Sequence, residues 1–195
     1  MRHRLAPLVP AGLAACALLA AALPARADDL ATVNAKVAGA MHAAKSFVLT
    51  TTTSGFTGTM TFVAPDRYHT SLAYGGTTYE VVVIGRDGYV SANGSAYRKV
   101  DTPPQFLQTQ VQLRDVPVDA VLPDTTVDGT AYGRFATTSA GPQHDQHLTC
   151  TYDKKTYRIA RCANDALTIG FGKYDDPANA VAVPATAAAA HPGAR

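Results

Sequence analysis

Between Ser46 and Val100 the chain is cut into segments of six to nine residues, and the turns between them leave no room for a helix. "SFVLTTTT", "GFTGTMTFV", "RYHTSLAY", "TTYEVVVIG", "DGYVSAN" and "SAYRKV" are rich in Val, Thr, Tyr and Phe, the residues that suit a pleated sheet. "SG", "APD", "GG", "RDG" and "NG" punctuate them. Parallel neighbours need a crossover of about a dozen residues or more, so this stretch is confined to an antiparallel sheet. Asn93-Gly94 is the strongest hairpin signal, because its tight turn needs positive φ at both central positions.

Strand alternation then sorts the side chains. Tyr79, Val81 and Val83 share one face of their segment, while Glu80, Val82 and Ile84 take the other and turn Glu80 to solvent. Met60 and Phe62 share a face, as do Leu72 and Tyr74. A sheet face that apolar has to be covered. Residues 28–45, "DDLATVNAKVAGAMHAAK", can cover it: Leu30, Val33, Val37, Met41 and Ala44 recur at helical spacing. Asp28 and Asp29 at the start and Lys45 at the end suit the helix dipole, and His42 lies beside the apolar stripe. "PPQFLQTQVQL", residues 103–113, reads as a second, short helix with Phe106 and Leu107 on its apolar face. "DVPVDAVLPDTT" reads as a loop; "TVDGTAYGRFATTS", "QHLTCTY", "TYRIARC" and "ALTIGFGKY" then read as strands. The expected class is α+β, mainly β: a strongly curved antiparallel sheet, or half-barrel, covered by an N-terminal and a central helix.

The first 27 of the 195 residues carry an export signal. "MRHR" is basic, an apolar run follows, and Ala25 and Ala27 form a small-x-small cleavage site after which cutting is expected. "LAAC", ending at Cys16, has the look of a lipoprotein cleavage box; the apolar "ALLAAAL" after it favours Cys16 as one more residue of the signal. Removing Arg2, Arg4 and Arg26 from the 17 basic residues leaves 14 against 15 acidic ones, so the formal +2 becomes about −1. Nothing in that balance points to nucleic acid. The domain is expected over residues 28–183, with a disordered Ala/Pro tail over 184–195. No membrane span is expected in the mature chain, and the place is periplasmic or secreted.

Cys150 and Cys162 alone remain after cleavage and are expected to form one disulfide in an oxidising compartment. A four-residue turn at Asp153–Thr156 would set Cys150 opposite Ile159, three positions short of Cys162. A longer loop, a bulge or a bend has to make up the difference.

Catalytic patterns are absent: no G-x-S-x-G, no H-E-x-x-H and no phosphate-binding glycine loop occur. "HDQH", residues 144–147, is the best metal-like cluster but lies in a polar stretch where solvated side chains are ordinary. Neither a metal nor a cofactor is expected. In "PDRY", Pro65 suits a turn entry, Asp66 a cap on nearby amides, and Arg67 a pair with Asp66 or a neighbouring loop.

A helix ending in "AAKSF", then "APDRY", then "VVVIGRDGYVSANGSAYRKV" resembles the LolA/LolB-like periplasmic lipoprotein carriers. The resemblance spans roughly residues 30–175, with its motifs in 45–100. It implies a half-barrel whose helices lid a cavity for acyl chains. Pro65, Asp66, Arg67 and Tyr68 stand at the family's strand entry, Gly85 and Tyr89 at the next hairpin, and Tyr97 where tryptophan is common. Val48 departs from it: carriers tend to have an arginine there that helps hold the lid closed. The expected function is therefore an exported, non-enzymatic protein binding a lipid or acylated molecule. Met60, Phe62, Leu72, Tyr74, Tyr79, Val81, Val83, Phe106 and Leu107 would line the cavity. The alternative is a protein-interaction or envelope-sensor module with a filled core and an envelope protein as partner.

Overall fold

A computed structural model describes residues 29–101, 114–139 and 145–185. Helix α1 (Leu30–Ala43) precedes eleven strands. They are β1 (Ser46–Thr53), β2 (Phe56–Val63), β3 (Arg67–Tyr74), β4 (Thr77–Ile84), β5 (Asp87–Ala92), β6 (Arg98–Asp101), β7 (Ala120–Val127), β8 (Thr130–Ser139), β9 (Gln146–Asp153), β10 (Ile159–Ala163) and β11 (Leu167–Gly172). All eleven join one open sheet in the order β6-β5-β4-β3-β2-β1-β11-β10-β9-β8-β7. Every pairing is antiparallel. The sheet is thus two meanders, β1–β6 and β7–β11, fused where β1 pairs with β11 from Val48↔Gly172 to Thr53↔Leu167.

Among the described residues α1 is the only helix. The expected signal peptide, the helix at 103–113 with Phe106 and Leu107, and tail residues 186–195 lie outside them. Asp29 caps α1, accepting the Thr32 N–H at 2.7 Å. Val33, Val37 and Met41 are buried as the spacing predicts, but Leu30, at the first turn, stays exposed. Lys45 falls beyond the helix; its backbone N–H donates to the Asp175 carboxylate at 2.6 Å, so an acid from after β11 fastens the α1–β1 joint.

Two stretches depart from expectation. Residues 120–127 form edge strand β7 rather than a loop; Pro123 is tolerated because the ladder slips between Leu122 and Thr125 and one side of an edge strand bonds to no neighbour. Asp128-Gly129 then makes a hairpin turn, with φ of 49° and 77°, where one continuous strand was expected. The cysteine offset of three resolves as two plus one. A longer turn pairs Tyr152 with Ile159, and a bulge between Ile159 and Arg161 brings Cys162 opposite Cys150. The disulfide Cys150–Cys162 forms at a Cα separation of 4.0 Å and contributes about 3 kcal/mol by loop-closure entropy.

That turn is organised by Asp153, whose carboxylate accepts the Lys155 and Thr156 N–H groups at 2.9 and 2.8 Å and the Thr156 hydroxyl at 3.0 Å. The Thr156 N–H first of all, and then its hydroxyl, hold the acid below its ordinary 3.8 despite slight desolvation. A lowered folded value means the contribution is full above 3.8 and disappears as pH falls through the lower one. Asp153→Ala is expected to cost stability at pH 6 and nothing once both states bind the proton; urea midpoints across pH 2–6 check this.

The face bearing α1 holds the main core. Val33, Val37 and Met41 pack against Phe47, Leu49, Phe62, Phe135, Leu148, Cys150, Tyr152 and Ile159. These come from β1, β2 and β8–β10, with Leu167, Ile169 and Phe171 of β11 beside them. The opposite face has a smaller cluster. After β11 the chain turns at Lys173–Asp176 and lays Val181 against Val82 and Tyr89, with Val63, Ile84 and Tyr97 around them.

Candidate functional site

Strand register carries the seven described candidate residues to one face, the side that bears α1. Phe62 lies opposite Tyr68, and Tyr68 opposite Val83; Met60 opposite Thr70, and Thr70 opposite Val81; Leu72 opposite Tyr79. Tyr74 closes the row opposite Phe56 and Thr77. Burial is graded along this inner face. Phe62, Tyr68 and Val83 are sealed, at 0%, 2% and 1% exposure; Met60, Val81 and Leu72 are half-buried; Tyr79 and Tyr74 reach 42% and 61%. Val90 of β5 and Val100 of β6 extend the half-buried apolar surface. Gly58 matters locally: a Cβ there would lie 3.3 Å from Leu72 Cδ1, so its hydrogen lets Leu72 lie flat across β2.

Helix α1 is not what seals Tyr68 and Val83, which lie outside the core cluster it forms. Its buried side chains contact β1, β2 and the second meander, so the inner face of β3–β6 is not beneath it. At the sealed end Phe47 and Phe62 stack with centroids 5.0 Å apart, and Tyr174 closes on Phe47 at 5.8 Å. Burial alone pushes the Tyr68 phenol up to about 12.

Two polar groups on this side were not singled out in the sequence. Thr70 Oγ1 is closed to solvent and has no hydrogen-bond partner among the described residues. Its position was legible from alternation with Tyr68 and Leu72; its lack of a partner was not. Arg114 stands beside Phe62, its guanidinium carbon 5.7 Å from the ring centroid. It donates from Nε to the Met41 carbonyl at 3.4 Å and from Nη2 to the His42 carbonyl. Nothing local in the sequence signals that placement, because the contact spans more than seventy residues.

Other sequence candidates separate from this face. Residues 64–66 form the expected turn, with a cis bond before Pro65. The cap expected of the Asp66 side chain is not formed among the described residues; its backbone carbonyl instead accepts the Gly85 N–H across the β3–β4 hairpin at 3.1 Å. The ion pair expected of Arg67 is not formed among the described residues; Arg67 is exposed at the start of β3. Glu80 occupies the outer face as alternation requires, but it is engaged rather than simply solvated. It accepts the Ser71 hydroxyl at 2.7 Å and meets His69 Nε2 at 2.5 Å. His42, exposed as expected, pairs with Asp115 at 2.5 Å.

His144 lies outside the described residues, and His147 Nδ1 is 3.2 Å from the Thr138 hydroxyl. His147 borders a shallow groove of about 480 Å³ with Asp119, Thr137, Asn164 and Asp165. Among the described residues no three His, Cys, Asp or Glu side chains are grouped to hold a metal. None of the described helices is long and apolar enough to cross a membrane.

No family model matches the chain, and no curated protein matches it by sequence. Among solved structures it is similar to the Mycobacterium tuberculosis lipoprotein LppX, with a TM-score of 0.53 at 13% identity over 77% of this chain and 99% of that one. MucB, solved in complex with MucA(peri), aligns at a TM-score of 0.36 and 17% identity over 80% of this chain, which spans 57% of the MucB chain. At 13% identity the likeness to LppX is one of fold: a large open antiparallel sheet with a helix laid against one face.

Proposed function

We propose that the protein is an exported, non-enzymatic binder or carrier of an acyl-chain ligand in the cell envelope, related at a distance to the LolA/LolB-like half-barrels. One observation carries this reading. The apolar inner face of β3–β6 lies beyond the reach of α1 and runs from the sealed Phe62–Tyr68–Val83 row to the exposed Tyr79 and Tyr74. The fold shared with the lipoprotein LppX supports it. An acyl chain laid along that face would gain about 0.8 kcal/mol per buried methylene.

The test is native mass spectrometry of the mature protein, purified without detergent from its own host, followed by organic extraction. A bound lipid in stoichiometric amount is the expected result. Leu72→Glu places a charge on the half-buried part of the face without touching the sealed row, and should abolish ligand retention at little cost in stability. Val83→Asp is the poorer probe, because Val83 is 1% exposed and a charge there threatens the fold itself. A clean apo mass for the wild type, with no hydrophobic dye bound, would sink the carrier reading and leave the interaction module.

A further inference from the structure

Two groups on the inner face have bonding capacity that the described residues leave unused. The guanidinium of Arg114 carries five N–H groups. Nε and Nη2 serve the Met41 and His42 carbonyls, which belong to the last turn of α1. No bond among the described residues uses Nη1. The nearest acid in the chain, Asp115, is committed elsewhere, to His42 Nε2 at 2.5 Å. Arg114 is therefore a half-buried cation fastened to a helix end and lying against the Phe62 ring, with no carboxylate partner among the described residues. A cation so placed and desolvated favours an arriving anion, and the planar fork suits a phosphate or carboxylate.

The second group is Thr70. Its hydroxyl oxygen is shut off from water and bonds nothing among the described residues. It sits opposite Met60, one inner-face position along β2 from Phe62, a step of about 7 Å. Beyond it, away from Arg114, the face is apolar: Val81, Leu72, then Tyr79. Charge, hydroxyl and apolar path follow one another in that order. An acidic head group, an ester carbonyl and a hydrocarbon chain follow in the same order in a glycerolipid.

We propose that the inner face is specific for an anionic O-acyl lipid, with Arg114 meeting the acidic head group and Thr70 donating to the acyl carbonyl. This rests on the carrier reading and narrows it. A free fatty acid would engage Arg114 but offer Thr70 no separate carbonyl, and a neutral acylglycerol would do the reverse.

Displacement of a hydrophobic dye from the mature protein by short-chain lipids below their micelle concentration tests it. The probes are an acyl lysophosphatidylglycerol, its ether-linked analogue and the neutral monoacylglycerol. Wild type should bind the anionic ester about tenfold more tightly than the neutral one. That preference should fall with added salt, since it depends on an accessible charge. Arg114→Gln should bring the ratio of anionic to neutral affinity down to about one, a result that a purely structural role at the end of α1 would not produce. Thr70→Val should remove a severalfold advantage of the ester over the ether analogue. Equal, salt-independent binding of anionic and neutral lipids overturns the head-group assignment even if Arg114→Gln proves unfoldable. An ester advantage that survives Thr70→Val overturns the carbonyl assignment. Failure of all three probes to displace the dye, or of the dye to bind, overturns the carrier reading beneath both.

Discussion

Gly133→Ala should cost about 3 kcal/mol, the upper part of the usual range for overfilling a packed core. A Cβ at Gly133 would lie 2.1 Å from Tyr152 Cζ and 2.5 Å from Cε1, distances no real contact permits. Gly133 and Tyr152 are paired across β8 and β9, and the ring folds over the glycine. It has nowhere to retreat. Tyr157 stacks on it at 5.4 Å, Phe135 sits at 6.1 Å, and Tyr152 itself is 2% exposed. Lys36 holds Tyr157 in turn, its ammonium donating to the phenol oxygen at 2.9 Å. A double-mutant cycle isolates the clash: in a Tyr152→Leu background, Gly133→Ala should cost a small fraction of its effect in the wild type. Equal costs in both backgrounds, read from urea midpoints, would mean that the ring is not what forbids the methyl.

Phe47→Ala should be larger still, about 4 kcal/mol, within the range for deleting a buried phenylalanine. It removes a ring with 0% exposure whose neighbours are the Phe62, Phe171 and Tyr174 rings, at 5.0, 6.0 and 5.8 Å. Those rings come from β2, β11 and the turn after β11, so Phe47 stands at the seam where the two meanders fuse. The cavity would open at that joint. With total stabilities of about 5–15 kcal/mol, the variant keeps little margin. Phe56→Ala, on the same face at the half-exposed end of β2, is the control and should cost much less. A cost for Phe47→Ala no greater than for Phe56→Ala would show that the seam is not a centre of stability.

Much of the first meander was legible because its information is local. β1 and β3 coincide with "SFVLTTTT" and "RYHTSLAY", since alternation and turn residues mark both ends of each. The seven inner-face residues also follow from period two plus hairpin pairing, which needs no knowledge of the rest of the chain. β7 was missed because Pro123 outweighs its neighbours in any local reading, and only the lack of a neighbour on one side at the sheet edge makes it tolerable. The candidate site divides in the same way. Its apolar floor was legible; Arg114 and the unpartnered Thr70 hydroxyl were not, because each depends on what other segments bring or fail to bring.

By itself, then, the sequence determined an antiparallel sheet, one amphipathic helix, a cysteine pair displaced by three positions and an apolar face along β2–β4. Turn chemistry and side-chain period decide these within a dozen residues. Only the tertiary structure decided that β1 pairs with β11, that α1 lies over the second meander, and that the segment around Val181 covers part of the outer face. The physical reason is that apolar burial has no direction: several apolar surfaces could have received the helix, and the choice among them rests on the packed fit of side chains far apart in the chain. That choice leaves the inner face of β3–β6 beyond the reach of α1, and with it the candidate site.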